Sequence, residues 1–82
     1  METTVIQIVK VCLLPVGIYY SSNNTDDVMC VDAICEDNEI FDDMPTEYLN
    51  AEKYREFDNM IVKSILPEPN GISIVIRAKK GI

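Results

Sequence analysis

The chain has 82 residues, of which 48% are hydrophobic, and its formal net charge is −7 at pH 7. This length predicts a single compact domain over residues 1–82, and the hydrophobic fraction is typical of a folded globule rather than a disordered chain. The negative charge disfavours direct binding to nucleic acid or to an anionic membrane, because like charges repel. The absence of histidine removes the usual proton shuttle near neutral pH and the commonest metal ligand.

The carboxylates are concentrated in the middle of the chain. Twelve of the fourteen lie between Asp26 and Asp58, where only Lys53 and Arg55 oppose them. The remaining residues are net positive. A surface built from the middle segment is expected to attract a basic partner and to repel an acidic one.

The first predicted element is a β-strand over residues 4–13. Its apolar side chains occupy positions of both parities, which is typical of a strand covered on both faces. Pro15 ends this strand because it has no N–H to donate, and residues 16–21 continue as an extended segment. Glu2 and Lys10 disfavour a signal peptide, which needs a basic start, and a membrane span, which needs an unbroken apolar run.

The three cysteines form an odd set, Cys12, Cys30 and Cys35. A disulfide framework in a small secreted domain uses an even number, so these side chains are interpreted as small buried hydrophobic groups in a reducing compartment. The expected location is the cytoplasm. A structural zinc site is not expected, because the chain has no histidine and no close pair of cysteines.

The next predicted strand covers residues 27–35, after a polar turn at residues 22–26. Its side chains alternate between an apolar face and a mixed face. Residues 36–38 turn the chain, and Glu39, Ile40 and Phe41 are expected to add a short strand in an antiparallel hairpin with it.

Residues 42–57 change to a helical period. Apolar residues recur there at spacings of three and four, the spacing of one helical face: Tyr48, Leu49, Ala51, Tyr54 and Phe57. Thr46 or Asn50 is the expected N-cap of a short helix. Glu47 or Glu52 is expected in its first turn, where the helix dipole favours a negative charge.

The strongest pair of predicted strands covers residues 59–66 and 72–79, both rich in Ile and Val. Asn70 and Gly71 favour a reversal between them, because both residues adopt positive φ angles readily. In the last strand the Ile side chains share one face. The other face, which includes Arg77 and Lys79, is expected to meet solvent at its C-terminal end and to protect an open sheet edge from pairing.

These elements predict an α+β, mainly β fold. The sheet is expected to be strongly bent and antiparallel, or closed into a small barrel. It is expected to have five to six strands, accompanied by one short helix.

No catalytic or cofactor motif is recognised in the chain. Ser-His-Asp and Cys-His arrangements are excluded by the lack of histidine, and three glycines provide no phosphate-binding loop. Residues 37–41 lack the spacing of a calcium-binding loop. We therefore expect a protein that is not an enzyme and that has no cofactor and no metal site.

The acidic middle segment predicts a protein-interaction module that binds a basic surface of another protein. Because closely spaced carboxylates imitate phosphates, the partner is interpreted as a nucleic-acid-binding enzyme that such a mimic inhibits. Small acidic phage proteins, including anti-CRISPR inhibitors, are similar in composition, although no shared motif links them to this chain. The predicted partner-binding residues are Glu36, Asp37, Glu39, Asp42, Asp43, Glu47, Glu52 and Glu56.

The alternative function is a structural or assembly subunit that forms a homo-oligomer. The apolar segment over residues 4–13 has two apolar faces, and a chain this short has little else to cover them. The two functions differ in an observable way, since only the second requires association of the protein with itself.

Overall fold

The computed structural model describes residues 2–21 and 39–77 of the chain. In chain order its elements are helix α1 (Val5–Val9), strand β1 (Val16–Ser21), strand β2 (Glu39–Asp43), helix α2 (Pro45–Asn50), a 3-10 helix (Glu52–Phe57), strand β3 (Val62–Glu68) and strand β4 (Gly71–Arg77). The fold is α+β and mainly β, as predicted. The predicted strand over residues 27–35 lies outside the described residues, whereas the short strand predicted at residues 39–41 is confirmed as part of β2.

The described strands form one mixed sheet in the order β2-β1-β4-β3. Strand β1 is antiparallel to β2 and parallel to β4, while β4 is antiparallel to β3. The prediction of a wholly antiparallel sheet is therefore wrong at the β1–β4 pair. The predicted five to six strands and the barrel are not confirmed, since the described sheet has four strands and is not closed.

The connection between β2 and β3 determines where the core lies. These strands stand at opposite ends of the sheet order, so α2 and the 3-10 helix must cross one face of the sheet to join them. We call this the helix-covered face. The opposite one is called the open face only to tell the two apart, since Ser73 and Val75 on it are buried. A parallel relationship such as that of β1 and β4 needs long-range connections of this kind, which a local sequence pattern does not reveal.

The core packs between the helices and the helix-covered face. The register places Ile18 of β1 beside Ile74 of β4 on one side and Phe41 of β2 on the other. Burial of one side chain of this size contributes about 1.5–3 kcal/mol. Among the described residues, the buried core consists of Val5, Val9, Val16, Ile18, Phe41, Tyr48, Ile74 and Ile76.

The prediction of a strand over residues 4–13 is wrong, because residues Val5–Val9 form helix α1. Val5 and Val9 are four residues apart, so a helix places both on one face, and both are buried. Gln7 Oε1 accepts the Thr4 backbone N–H at 2.8 Å, which satisfies a donor at the start of the helix. The Thr4-x-x-Gln7 spacing was the sequence signal for this helix start.

The second half of that predicted strand is an exposed loop. Val11, Leu13 and Leu14 are 78%, 90% and 54% exposed, whereas a strand covered on both faces would bury them. Cys12 in the same loop is partly buried against the core, and its thiol lies 3.3 Å from the Leu14 carbonyl oxygen. Cys30 and Cys35 lie outside the described residues.

The predicted helix over residues 42–57 is interrupted. Ala51 has an extended conformation, with φ of −104° and ψ of 111°, and separates α2 from the 3-10 helix. The N-cap of α2 is Met44 rather than Thr46 or Asn50, because Pro45 fits the first helical position, where no N–H is needed. Glu47 and Glu52 each lie in a first turn, as expected.

The β3–β4 hairpin is confirmed, with its two-residue loop at Pro69 and Asn70. Gly71 already pairs with Glu68, and the Ile72 N–H donates to the Pro15 carbonyl oxygen at 3.0 Å. A Cβ at Gly71 would collide with that carbonyl group, 2.9 Å from its carbon atom. Glycine is therefore required where the hairpin meets the start of β1.

The prediction that Arg77 protects an open edge is wrong. Strand β4 lies between β1 and β3, and Arg77 stands opposite Ser21 in the register with β1. Side chains on both faces of β4 are buried, namely Ser73, Ile74, Val75 and Ile76. Lys79 lies outside the described residues.

Candidate functional site

Four of the predicted partner-binding residues line one groove beside β2. Glu39, Asp42 and Asp43 lie on β2, and Glu47 lies in the first turn of α2. All four are exposed. The groove has a volume of about 420 Å³, and Lys53 is the one cationic residue among the described residues that line it. We call the groove that these four carboxylates line the acidic groove.

The chain brings these carboxylates together because β2 leads directly into α2. Asp43 ends the strand, Met44 is the helix N-cap, and the Asp43 Oδ1 atom accepts the Met44 N–H at 2.9 Å. Within β2 the register shifts between Phe41 and Glu39, so Ile40 is an extra residue in the strand. Such a bulge bends its strand and redirects the side chains there.

The carboxyl groups of Asp43 and Glu47 interact directly. A hydrogen bond with Asp43 raises the pKa of Glu47, and desolvation and the negative charge of Asp43 raise it further. Two carboxyl groups that share a site resist full ionisation. A bound cation would remove this repulsion, so the pair favours a positively charged ligand.

Three aromatic rings pack against one another beside the acidic groove. The Phe41 ring contacts Tyr54 and Tyr48 edge to face, with centroid distances of 5.0 and 5.3 Å, and the two tyrosine rings stack at 5.3 Å. The Lys53 ammonium lies 5.1 Å from the centroid of the Tyr54 ring. Aromatic pairs in these arrangements contribute about 0.5–1.5 kcal/mol each beyond their buried area.

A polar network fixes the helices that carry this aromatic cluster. The Tyr48 hydroxyl lies 3.0 Å from both the Tyr54 carbonyl oxygen and Asp58 Oδ1. Burial raises the pKa of Tyr48, and the hydrogen bond to Asp58 adds to the rise. Arg55 donates to the Tyr48 carbonyl oxygen at 2.6 Å and pairs with Asp58 at 3.5 Å. These hydrogen bonds and this ion pair therefore hold α2 and the 3-10 helix together beside the groove.

A second concavity, of about 290 Å³, lies on the open face, and Asp42 lines it as well. Its other lining residues include Gly17, Tyr19, Glu68 and Ser73, and the Ser73 hydroxyl donates to Glu68 Oε1 at 2.9 Å. We call this concavity the open-face cleft. Sequence reasoning missed Glu68 because it is far along the chain from the acidic segment. Its place in the cleft depends on the pairing of β3 with β4 and of β4 with β1, which no local sequence pattern indicates.

The remaining predicted partner-binding residues are placed elsewhere. Glu52 and Glu56 lie exposed on the 3-10 helix and are not among the residues that line the acidic groove. Glu36 and Asp37 lie outside the described residues. Of the predicted partner-binding residues that the structure describes, four therefore line the acidic groove and two lie on the 3-10 helix.

Comparison with known proteins gives no relatives: no protein-family model, no curated protein and no solved structure matches this chain. Over residues 2–21 and 39–77, no helix combines the length and the apolar character that crossing a membrane requires. In the same ranges, no group of three or more Cys, Asp or Glu side chains is arranged to hold a metal ion.

Proposed function

We propose that this protein is a small, acidic, non-enzymatic interaction module whose acidic groove binds a basic surface of another protein. The observation that supports this function best is the convergence of Glu39, Asp42, Asp43 and Glu47 on one groove, opposed there by Lys53. The raised pKa of Glu47 adds to the argument, because a basic side chain that binds between Asp43 and Glu47 relieves an existing repulsion.

The charge density of β2 supports mimicry of nucleic acid. A strand of five residues is about 16 Å long, and β2 carries three carboxylates over that length, with Glu47 beside its end. One strand of duplex DNA carries about five phosphates over the same length, at 3.4 Å per charge. The proposed partner is therefore a nucleic-acid-binding protein, which the acidic groove occupies in place of its substrate.

The test of this function begins with the full chain as bait in a nuclease-treated lysate of the source organism. A captured basic protein is then purified, and its dissociation constant is measured against salt concentration and against competing duplex DNA. We expect affinity to fall at least tenfold between about 50 and 200 mM salt, as for charge-dominated binding. We also expect the DNA to compete. Salt-independent binding that DNA leaves unchanged would contradict the proposal.

A second candidate function is favoured by the exposed loop of Val11, Leu13 and Leu14. Leu13 is 90% exposed, and contiguous exposed apolar groups mark interaction sites in many proteins. A structural or assembly subunit that forms a homo-oligomer would cover this loop with a second copy. Light scattering at concentrations up to about 100 μM tests it, because a micromolar interface is occupied at that concentration. Association that Leu13→Ser abolishes supports this function, and a strict monomer contradicts it.

A further inference from the structure

The open-face cleft has its walls on three different strands. Asp42 of β2 stands opposite Gly17 of β1, and Gly17 stands opposite Ser73 of β4. Residues directly opposite one another point to the same face of a sheet. Asp42 and Ser73 thus flank Gly17, about 10 Å apart, because neighbouring strands are about 4.8 Å apart. The glycine between them has no side chain, and the ring of Tyr19 lies over this position.

The chemistry of the cleft walls is that of a cation site. Glu68 lies on the Ser73 side, where the buried hydroxyl of Ser73 holds its carboxylate at 2.9 Å, and Asp42 lies on the opposite side. The ring of Tyr19 lies against Gly17, since a Cβ there would be 2.7 Å from Tyr19 Cε1. Two carboxylates and an aromatic ring suit a guanidinium group, which pairs with carboxylates and packs on aromatic rings.

Asp42 connects this cleft to the acidic groove, because it lines both. A partner that binds in the groove therefore also reaches the cleft at Asp42. The two concavities thus share the carboxylate of Asp42. Glu68, which stands apart from the acidic segment in the sequence, lines the cleft together with Asp42.

We infer that the open-face cleft binds an arginine side chain of the partner protein, with its guanidinium between Asp42 and Glu68 and against the Tyr19 ring. This inference rests on the proposed function, because it assigns the arginine to the same basic partner. It adds a residue-level specificity: the acidic groove requires positive charge in general, whereas the cleft selects a planar cation. Lysine fits the cleft less well, since its ammonium is compact and strongly hydrated.

The test uses N-acetyl-arginine amide as the probe, titrated into the ¹⁵N-labelled protein and followed by amide chemical shifts. We expect saturable shifts at Gly17, Tyr19 and Ser73, with a dissociation constant on the order of 1 mM, as for a ligand this small. The neutral analogue N-acetyl-citrulline amide is expected to produce no saturable shift there. N-acetyl-lysine amide is expected to bind at least threefold more weakly than the arginine probe.

Matched variants complete the experiment. Glu68→Gln keeps an oxygen that accepts the Ser73 hydroxyl, so the cleft retains its shape, and we expect it to weaken binding at least fivefold. Glu2→Gln makes the same change in net charge outside the cleft and is expected to leave binding unchanged. Equal binding by the two variants, or equal shifts with the citrulline probe, would overturn the inference.

The outcomes separate this inference from the proposed function. Arginine-induced shifts confined to Asp43, Glu47 and Lys53 would overturn the cleft site while supporting cation binding in the acidic groove. Shifts in the cleft combined with salt-independent binding of the captured protein would support the cleft and contradict the proposed function. Absence of saturable shifts in both places would overturn the cleft site and weaken the proposed function.

Discussion

The hydroxyl of Tyr48 lies 3.0 Å from Asp58 Oδ1 and thereby ties helix α2 to the residue that follows the 3-10 helix. Tyr48 is also a fully buried core side chain and the stacking partner of Tyr54, whose ring lines the acidic groove. One residue therefore connects the core, the two-helix crossover and the proposed binding surface.

We expect Tyr48→Phe to lower the free energy of unfolding by about 1–3 kcal/mol, the cost of removing a hydrogen bond to a charged group. The ring contacts remain in this variant, so the loss reports the hydroxyl. The control is Tyr54→Phe, because the Tyr54 hydroxyl makes no hydrogen bond to the described residues. Urea unfolding of both variants measures the difference, and equal stabilities would contradict the role given to the Tyr48 hydroxyl.

Gly71→Ala is expected to destabilise the protein by about 1–3 kcal/mol, the usual cost of forcing an added group into a packed site. The new Cβ meets the backbone carbonyl of Pro15, which cannot move without disturbing the start of β1. Gly17→Ala is the comparison, because the three atoms nearest to its Cβ belong to the side chain of Tyr19 rather than to the backbone. Thermal unfolding should rank Gly71→Ala as the more damaging change, and the reverse order would be inconsistent with this packing.

The raised pKa of Glu47 leads to a prediction of how the stability of the folded protein depends on pH. Its pKa is raised above the ordinary value of 4.5 in the folded protein, so the folded state binds more protons than the unfolded state in this range. Its contribution to stability is therefore fully present below pH 4.5 and decreases as the pH rises through the raised pKa. Glu47→Gln removes this dependence, and the variant should gain stability relative to the natural protein as the pH rises.

The same pH series with Asp43→Asn identifies the cause. Because the hydrogen bond and the charge of Asp43 raise the pKa of Glu47, Asp43→Asn should remove most of the dependence as well. The double variant should add little to either single change, which is the signature of an interacting pair. A stability difference between Glu47→Gln and the natural protein that stays constant with pH would argue against the interaction.

The assignment of residues 10–14 to an exposed loop is tested by Leu13→Ala. Since Leu13 is 90% exposed, we expect its truncation to change the free energy of unfolding by less than about 0.5 kcal/mol. Ile74→Ala, in a fully buried position, should cost about 2–5 kcal/mol. A large loss for Leu13→Ala would instead support the buried strand that the sequence pattern predicts.

The locally encoded parts of the fold were the ones that the sequence predicted. The β3–β4 hairpin follows from two Ile- and Val-rich segments around Asn70, and β1 follows from the extended residues after Pro15. Helix α1 was missed because residues 4–13 are apolar at both strand and helix spacings, so period alone does not decide between them. The break at Ala51 was missed because the apolar spacing continues through it.

The binding surface was predicted in part for the same reason. Asp42, Asp43 and Glu47 are close in sequence, and the short β2–α2 connection keeps them close in space. Glu68 was not predicted, because its proximity to Asp42 arises from the parallel pairing of β1 with β4. That pairing joins segments far apart in the sequence, so no local sequence pattern predicts it.

The central claim is that the acidic groove, rather than total charge, binds the partner. The most direct measurement compares two double variants that each remove two negative charges: Asp43→Asn with Glu47→Gln in the groove, and Glu52→Gln with Glu56→Gln on the 3-10 helix. Isothermal titration of the captured partner should show at least tenfold weaker binding for the groove variant, or about 1.4 kcal/mol, and less than threefold for the helix variant. Equal losses would assign binding to overall charge and contradict the groove, as would full affinity in the groove variant.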